Sequence, residues 1–314
     1  MMRIAVAGSG RLAATLLNAL WESSHTVVAV VQNGRKNIGV MRRLVPAYLS
    51  VMGGDRSATG FAVRHGLPIV WLDQMADELE PLRALEPDVL LVGGFDIILK
   101  GPVLDLPRLG CVNTHSSLLP KHRGPNPFSW ALLADAQETG VTFHAMDEGI
   151  DTGDILDQTA FDIEPRDTAL TLYVNACEVA GERIVEVIDR VEAEGVRGRP
   201  QDHEAATYDK KLNEADTFID WTLTAEEIDR RVRAFSPMPM ARFRFGNHTI
   251  RAGRVEYEAA PVEAEPGTVL SPGSPVRIAT GGGTLVIHTA YCAAPFPWYW
   301  PAFWSRPKQG ERVG

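Results

Sequence analysis

The sequence predicts an α/β domain with a parallel sheet, followed by a smaller domain of short β-strands. Three observations lead to this fold class. Short apolar runs alternate with helical patterns up to about residue 200, which indicates strands covered by helices on both faces of a sheet. A polar stretch around residues 198–209 interrupts the pattern. Beyond it, short segments separated by glycine turns are typical of a small β-barrel.

The first element is a buried strand followed by a glycine turn and an amphipathic helix. Arg3–Ala7 is a short apolar run, Gly8–Gly10 forms the turn, and leucines then repeat at helical spacing. The turn resembles a dinucleotide-binding fingerprint, which requires an acidic residue about 20 positions further on. The second strand ends instead with Gln32 and Asn33. NAD binding and a tight turn both stay open, and the missing carboxylate favours the turn.

Six further apolar runs of strand length continue the first domain. They are Thr26–Val31, Leu67–Trp71, Asp88–Val92, Gly110–Thr114, Val141–Met146 and Ile155–Ile163. A long helix is predicted from about Thr168 to Glu194, because apolar residues repeat there at intervals of three and four. Together these elements predict a Rossmann-like sheet domain over residues 1–200.

The second domain begins with a helix that carries its own start signal. Thr224–Glu227 has the spacing of a capping box, and Pro237 ends the helix that follows. Five strand-like segments come next: Ala241–Phe245, Thr249–Tyr257, Gly267–Leu270, Val276–Thr280 and Thr284–Tyr291. We therefore predict an OB-like barrel over residues 208–292, with an aromatic and proline-rich tail over residues 293–314.

Composition excludes several classes of protein. Forty acidic against 31 basic residues give a net charge of −9, which argues against a DNA-coating protein but permits a local basic patch. No apolar run reaches the roughly 18 residues of a membrane-spanning helix. The three cysteines form no CxxC pair, so we expect no disulfide framework and no metal site, and a cytoplasmic location. A monomer or simple dimer is the default.

Two polar stretches are candidates for a functional site. The first reads NTHSSLLP and begins at Asn113. Asn113 and His115 alternate along a strand end, so both side chains emerge on one face at the edge where such sheets bind ligands. In the second stretch, Gly149 and Gly153 bracket Asp151. This pattern indicates either a solvated loop or a fixed loop that aims the carboxylate at a partner, and a histidine partner would gain a raised pKa.

With these residues the chain resembles the folate-dependent formyltransferase family. The family pattern is Asn-x-His-x-Ser-Leu-Leu-Pro and later Asp-x-Gly, and the match is strong from Asp88 to Leu156. Tyr208–Trp221 and Arg233–Pro237 resemble the start of the C-terminal domain in members that act on methionyl-tRNA or nucleotide-linked sugars. The resemblance implies transfer of a formyl group from 10-formyltetrahydrofolate to a primary amine.

The resemblance also implies roles for individual residues. Asn113, His115 and Asp151 would be the catalytic trio. The folate would be bordered by Ser117, Leu118, Leu119, Pro120, Met146 and Gly149. In the chemistry, Asn113 would donate to the oxyanion, and a protonated His115 would do the same or relay a proton. Asp151 would keep His115 cationic and pass protons through a water. No metal is required, because the leaving nitrogen only has to be protonated.

The amine acceptor stays open at this point. Initiator methionyl-tRNA leads, with a nucleotide-linked aminosugar or hydrolysis of formyltetrahydrofolate as alternatives. The Asp-Arg-Pro loop with which the tRNA enzymes meet the acceptor arm is absent here. Its place holds Arg35, Lys36, Arg42 and Arg43. These residues either contact RNA phosphates or stand on a helix that packs through the apolar residues of Met41–Met52.

The tail contains an unusual aromatic segment, Phe296–Trp304, with three of the seven tryptophans. Its prolines prevent a regular helix. We expect it to pack across the barrel or a subunit contact. A stacking platform for a base, or a membrane-interface anchor, is the sharper alternative.

Overall fold

The computed structural model describes residues 1–34, 57–72, 79–292 and 307–314. These residues form two compact units. The first unit holds Met1–Gly124, Glu138–Asp162 and Tyr173–Asp209, and the second holds Pro125–Gln137, Ile163–Leu172 and Lys210–Gly314. The domain limits predicted at residues 200, 208 and 292 stay predictions.

One sheet organises the first unit. Its strands are β1 (Arg3–Gly8), β2 (Thr26–Asn33), β3 (Ile69–Leu72), β4 (Val89–Gly93), β5 (Gly110–His115), β6 (Glu138–Ala145) and β7 (Ile155–Asp162). They lie in the order β3-β2-β1-β4-β5-β6-β7. β1 to β5 are parallel, as the Rossmann-like prediction requires. β6 is the reversed strand, since it runs antiparallel to both β5 and β7. The nine residues that join β6 to β7 include no crossover helix, which a parallel connection would need.

The helices of the described residues are α1 (Gly10–Trp21), α2 (Ala58–Arg64), α3 (Glu80–Arg83), α4 (Pro127–Leu133), α5 (Ala169–Glu194) and α6 (Ala225–Ala234). α1 buries the predicted leucine stripe against the sheet. The sequence pattern does not predict α2, α3 or α4, because helices of one or two turns are too short to show a 3.6-residue repeat. None of the described helices combines the length and the apolar character that crossing a membrane requires.

The first glycine turn brings β1 close to β4 and leaves no room for a side chain. A Cβ on Gly8 would lie 2.0 Å from the carbonyl oxygen of Gly93. At the start of α1, the Tyr173 hydroxyl accepts a hydrogen bond from the backbone N–H of Leu12 at 3.0 Å. A donor that a dinucleotide phosphate would use is thus paired within the chain, which supports the tight-turn interpretation.

The second unit is β-rich. Its strands are β8 (Arg242–Phe245), β9 (His248–Ala252), β10 (Val255–Glu258), β11 (Val269–Ser271), β12 (Val276–Thr280), β13 (Gly283–Ile287) and β14 (Ala290–Cys292). They form two sheets, in the orders β10-β13-β12-β11 and β14-β9-β8. Both sheets share one apolar core with α6. The predicted capping box starts α6, since the Thr224 hydroxyl accepts the Glu227 N–H at 3.2 Å and the Glu227 carboxylate accepts the Thr224 N–H at 2.8 Å.

Two strands predicted for the second unit are each divided in two. Thr249–Tyr257 contributes to β9 and β10, and Thr284–Tyr291 contributes to β13 and β14. At the division, the Gly253 N–H donates to the Thr289 carbonyl at 2.8 Å. A Cβ on Gly253 would lie 2.4 Å from Thr289 Oγ1. The chain passes from one sheet to the other at this glycine, which hydrophobic alternation does not reveal.

Several predicted features lie outside the described residues. They are the basic residues Arg35, Lys36, Arg42 and Arg43, the helix Met41–Met52 and the aromatic segment Phe296–Trp304. The last residues of the chain are described. The Val269 N–H donates to the Glu311 carbonyl at 2.8 Å, and Val313 is buried in the core of the second unit. The chain end therefore adds to that core.

Candidate active site

The end of β5 places two polar side chains on one face of the sheet. Asn113 and His115 alternate along the strand, with Thr114 between them on the other face. His115 is 7% exposed, and Asn113 is half-buried. Both lie at the carboxyl end of a parallel strand, where sheets of this kind bind ligands.

The loop between β6 and β7 brings Asp151 to these two side chains. Asp151 Oδ1 lies 3.3 Å from Asn113 Nδ2, and Asp151 Oδ2 lies 3.6 Å from His115 Nδ1. The φ angle of Asp151 is 53°, a left-handed conformation that persists in a non-glycine residue only when its surroundings hold it. The structure thus brings the three predicted catalytic residues together within the first unit.

The backbone of Gly124 completes the surroundings of the carboxylate. Its N–H donates to Asp151 Oδ2 at 2.8 Å. The φ angle of Gly124 is 98°, and a Cβ there would lie 2.7 Å from the carbonyl oxygen of Asp209. Because a side chain would meet both obstacles, only glycine presents this N–H to Asp151 without strain.

The hydrogen bonds of His115 decide which ring nitrogen carries the proton. His115 Nε2 lies 2.8 Å from the His122 carbonyl. A carbonyl only accepts, so Nε2 is the protonated nitrogen and Nδ1 faces Asp151. Burial lowers the pKa of His115, and the Asp151 carboxylate offsets this only in part. Desolvation of the ring therefore opposes the cationic state that the sequence leads us to expect.

Asp151 is ionised in this setting. Burial alone would raise its pKa, but the His115 and His144 rings and the Gly124 N–H together hold the pKa below the usual range of an aspartate. A carboxylate that stays charged beside an imidazole stabilises positive charge on the ring.

A second histidine orients the Asn113 amide. β6 pairs with β5 so that His144 lies opposite Asn113, and His144 Nε2 lies 3.1 Å from Asn113 Nδ2. His144 Nδ1 donates to the Ala145 carbonyl at 2.7 Å, and His144 Nε2 also lies 3.4 Å from Asp151 Oδ1. The Asn113 amide nitrogen thus faces both His144 and Asp151. The contact to Asp151 is the longer one, and a ligand oxygen can replace it.

The six residues predicted to border a folate differ in exposure. Ser117 and Leu119 are buried, Leu118, Pro120 and Met146 are half-buried, and Gly149 is exposed. The Ser117 hydroxyl donates to the Lys121 carbonyl at 2.7 Å, and the Gly149 N–H donates to Asp147 at 2.9 Å. The side chains that can offer surface to a ligand are therefore the half-buried ones of Leu118, Pro120 and Met146.

The sequence interpretation gives no role to four residues of this site: Arg123, Gly124, His144 and Gln201. His144 stands in the second polar stretch, and its alternation along a strand is the signal that could have identified it. The other three depend on contacts between distant segments. Arg123 and Gln201, for example, are 78 residues apart and share two hydrogen bonds.

The first unit has two other polar features, a histidine–carboxylate group and a cavity. His25, Asp189 and Glu192 are, within the described residues, the one group spaced to hold a metal ion. However, His25 Nδ1 accepts the Met2 N–H at 3.3 Å and His25 Nε2 contacts Asp189 at 3.0 Å, so both ring nitrogens are engaged. A cavity of about 570 Å³ lies along β7 and the end of α5 and is lined by none of the trio.

Two family models match the chain. The model described as "Formyl transferase" matches residues 2–188, and the model described as "Formyl transferase, C-terminal domain" matches residues 211–303. The first match covers more than half of the chain and includes Asn113, His115 and Asp151.

Individual relatives agree with these models. The methionyl-tRNA formyltransferase of Halorhodospira halophila is 38% identical over 287 residues, which are 91% of this chain and 90% of that protein. An N-formyltransferase from Helicobacter canadensis, solved with folinic acid and dTDP-3-aminofucose, has a TM-score of 0.70 at 21% identity over 93% of this chain and 100% of that chain. A variant of HypX from Aquifex aeolicus has a TM-score of 0.66 at 18% identity over 93% of this chain, which spans 46% of HypX. At these identities the two structures demonstrate a shared fold alone.

Proposed function

The chain belongs to the formyl transferase family, and from this premise we propose that it transfers a formyl group from 10-formyltetrahydrofolate to the amino group of methionyl initiator tRNA. The observation that carries the proposal is the convergence of Asn113, His115 and an ionised Asp151. The acceptor follows from the methionyl-tRNA formyltransferase that is 38% identical over 91% of the chain.

The reaction moves a proton as well as the formyl group. The acceptor nitrogen attacks the formyl carbon and forms a tetrahedral intermediate with a negative oxygen. The bond from this carbon to N10 of the folate then breaks, and its electron pair stays on N10. Because the acceptor nitrogen loses a proton and N10 gains one, a group that carries the proton between them accelerates both steps.

His115 fits this proton-carrying role because its ring is neutral before the reaction. Its Nδ1 takes the proton from the acceptor nitrogen and then gives it to N10. Asp151 Oδ2, 3.6 Å from that nitrogen, stabilises the imidazolium that exists between the two steps. Asp151 therefore acts through its charge and stays deprotonated.

Asn113 fits the role of oxyanion donor. The amide hydrogen that reaches Asp151 at 3.3 Å turns to the formyl oxygen, while the other hydrogen stays with His144. Apo contacts of this kind are often long and shorten in the reacting complex. A donor aimed at a developing oxyanion typically contributes about 3–4 kcal/mol.

The folate is assigned to the two segments named above. The residues are Ser117, Leu118, Leu119, Pro120, Met146 and Gly149. Half-buried Leu118, Pro120 and Met146 offer apolar surface to the pterin ring. The buried Ser117 and Leu119 act by holding the turn, and Gly149 gives the Asp151 loop its bend.

We expect the tRNA to bind to the second domain and to the basic segment, which is the part of the chain that holds the four basic residues between positions 35 and 43. Arg35, Lys36, Arg42 and Arg43 would neutralise phosphates of the acceptor arm. A protein that acts on initiator tRNA works where translation begins, so we place it in the cytoplasm.

A panel of acceptors tests the proposal. The protein is mixed with 10-formyltetrahydrofolate and either charged initiator tRNA, nucleotide-linked aminosugars or no acceptor, and release of tetrahydrofolate is followed. Release that depends on the charged tRNA supports the proposal. Release with aminosugars alone would move the acceptor to sugars, and release without any acceptor would identify a hydrolase.

A further inference from the structure

A fully buried arginine lies next to the segment that holds Asp151. Arg123 is 1% exposed. Its guanidinium donates to Gln201 Oε1 at 2.7 and 3.2 Å, to the Tyr208 hydroxyl at 2.6 Å, and contacts His203 Nδ1 at 3.1 Å. Within the described residues it forms no ion pair with a carboxylate. Burying a cation without a carboxylate partner is costly, which indicates that the arrangement serves the site rather than stability.

Gln201 connects this guanidinium to the Asp151 loop. Its Oε1 accepts from Arg123, and its Nε2 donates to the Asp151 carbonyl at 3.0 Å and to the Gly153 carbonyl at 2.7 Å. Gln201 is 5% exposed, so water does not compete for these contacts. The two carbonyls stand on either side of Thr152. Together they fix the backbone on which the Asp151 carboxylate stands.

The backbone of Asp151 needs such support. A φ angle of 53° is unfavourable for a residue with a Cβ, so an unsupported loop would relax to other conformations. Relaxation would move the carboxylate from the Gly124 N–H and from His115, which it contacts at 2.8 and 3.6 Å. The charge that stabilises the His115 imidazolium would then be displaced.

We propose that Arg123 and Gln201 are positioning residues of the formyl transfer reaction: the guanidinium orients the Gln201 side chain, and its amide locks the Asp151 loop. Neither residue touches the reacting atoms. The inference rests on the proposed function, since it assumes that Asp151 serves catalysis. It adds two residues that act through Asp151, and one of them, Gln201, lies between the two family-model matches.

Gln201→Glu separates the two halves of this arrangement. The new carboxylate still accepts from Arg123, and with full charge, so the buried guanidinium keeps its partner. The two hydrogen bonds to the loop are lost, because a carboxylate oxygen then faces the Asp151 and Gly153 carbonyl oxygens and repels them. We expect kcat to fall roughly ten- to hundredfold, the effect of losing one or two hydrogen bonds, with the KM for 10-formyltetrahydrofolate within about twofold of wild type.

A second readout does not depend on turnover. The carboxyl carbon of Asp151 is titrated by NMR, with its resonance assigned from Asp151→Asn. In the wild type the pKa lies below the ordinary range, because burial is outweighed by His115, His144 and the Gly124 N–H. In Gln201→Glu the released carboxylate loses these partners, and its pKa moves up towards the ordinary value near 3.9.

Two further variants keep the test decisive. Gln137→Glu adds the same charge at an exposed glutamine of the second unit and should leave both readouts unchanged. Tyr208→Phe removes one acceptor of Arg123 from a side chain that is 62% exposed, so it should fold normally. We expect it to lower kcat by about two- to fivefold, because it removes only part of the hydrogen bonding that orients Arg123.

The outcomes separate this inference from the proposed function. If Asp151→Asn stops turnover while Gln201→Glu and Tyr208→Phe keep the wild-type kcat and Asp151 titration, the positioning role is wrong and the proposed function stands. If Asp151→Asn keeps its turnover, the assumed catalytic site is wrong. A loss of kcat together with a raised Asp151 pKa in Gln201→Glu supports the inference.

Discussion

The Gly124 N–H donates to the Asp151 carboxylate at 2.8 Å across 27 residues of sequence. This contact joins the turn after β5 to the loop after β6. It also sets a steric condition, because the Gly124 Cα faces the Asp209 carbonyl closely enough that a Cβ would lie 2.7 Å from that oxygen. The position of the proposed catalytic carboxylate of Asp151 therefore depends on the absence of a side chain at Gly124.

Gly124→Ala adds only a methyl group, but it should displace the N–H that binds Asp151 in the candidate site. The methyl group would displace the backbone from Asp209 and carry the N–H away from Asp151. We expect kcat to fall by at least about tenfold, equivalent to one charge-assisted hydrogen bond. Gly66→Ala is the control, because Gly66 has a φ angle of 67° and open space around it. Wild-type kcat in Gly124→Ala would contradict this account of the glycine.

Asn113→Ala and His115→Ala test the catalytic pair. Each should lower kcat by at least about a hundredfold, because each removes a group to which the proposed reaction gives a role in the transition state. The KM for 10-formyltetrahydrofolate should change little. The exposed residues Asn175 and His248 provide the matched alanine controls. A variant that keeps most of its turnover would remove that residue from the mechanism.

The low pKa of Asp151 predicts a pH-dependent contribution to stability. The pKa is lower in the folded chain than in the unfolded chain, so the ionised carboxylate stabilises the folded state above the unfolded value of about 3.9. This contribution is lost as the pH falls below that value. The free energy of unfolding of the wild type minus that of Asp151→Asn should therefore rise between about pH 3 and pH 5. Urea unfolding at several pH values measures it, and a constant difference would contradict the lowered pKa.

The capping box of α6 predicts a local stability effect in the second unit. Thr224→Ala removes the hydroxyl that accepts the Glu227 N–H and should lower the free energy of unfolding by about 1 kcal/mol. Thr224→Ser keeps the hydroxyl and should retain most of the stability. Urea unfolding followed by circular dichroism compares the variants. Equal stability of the alanine variant and the wild type would mean that water replaces the cap.

The basic segment predicts the salt dependence of tRNA recognition. Arg42→Glu combined with Arg43→Glu should raise the KM for the tRNA and leave the KM for the folate unchanged. If both arginines contact phosphates, the slope of log KM against log salt should decrease by about 1 to 2. The doubly Lys-substituted variant keeps the charge and serves as control. An unchanged slope would assign this segment to packing.

The sequence predicts those parts of the site that depend on one stretch of chain. Asn113 and His115 belong to one strand end, so their common face follows from strand geometry. The capping box of α6 is equally local. The glycines around Asp151 indicate a fixed loop, although not the partner that it meets.

The rest depends on distances that no local pattern contains. His144 faces Asn113 only because of the register between β5 and β6. The lowered pKa of His115 comes mainly from burial, which the sequence does not quantify. Gly253 similarly marks a corner between two sheets, where alternation alone indicates one continuous strand.

The segment after residue 200 contacts the candidate site, which affects where chimaeric proteins made from two related chains can be joined. His122 bonds to Thr207 and Asp209, and Gln201 secures the Asp151 loop. A chimaera joined at residue 200 would supply these contacts from a foreign sequence and could lose turnover without any change in the trio. Grafting a new acceptor specificity onto this scaffold therefore calls for a junction beyond Asp209.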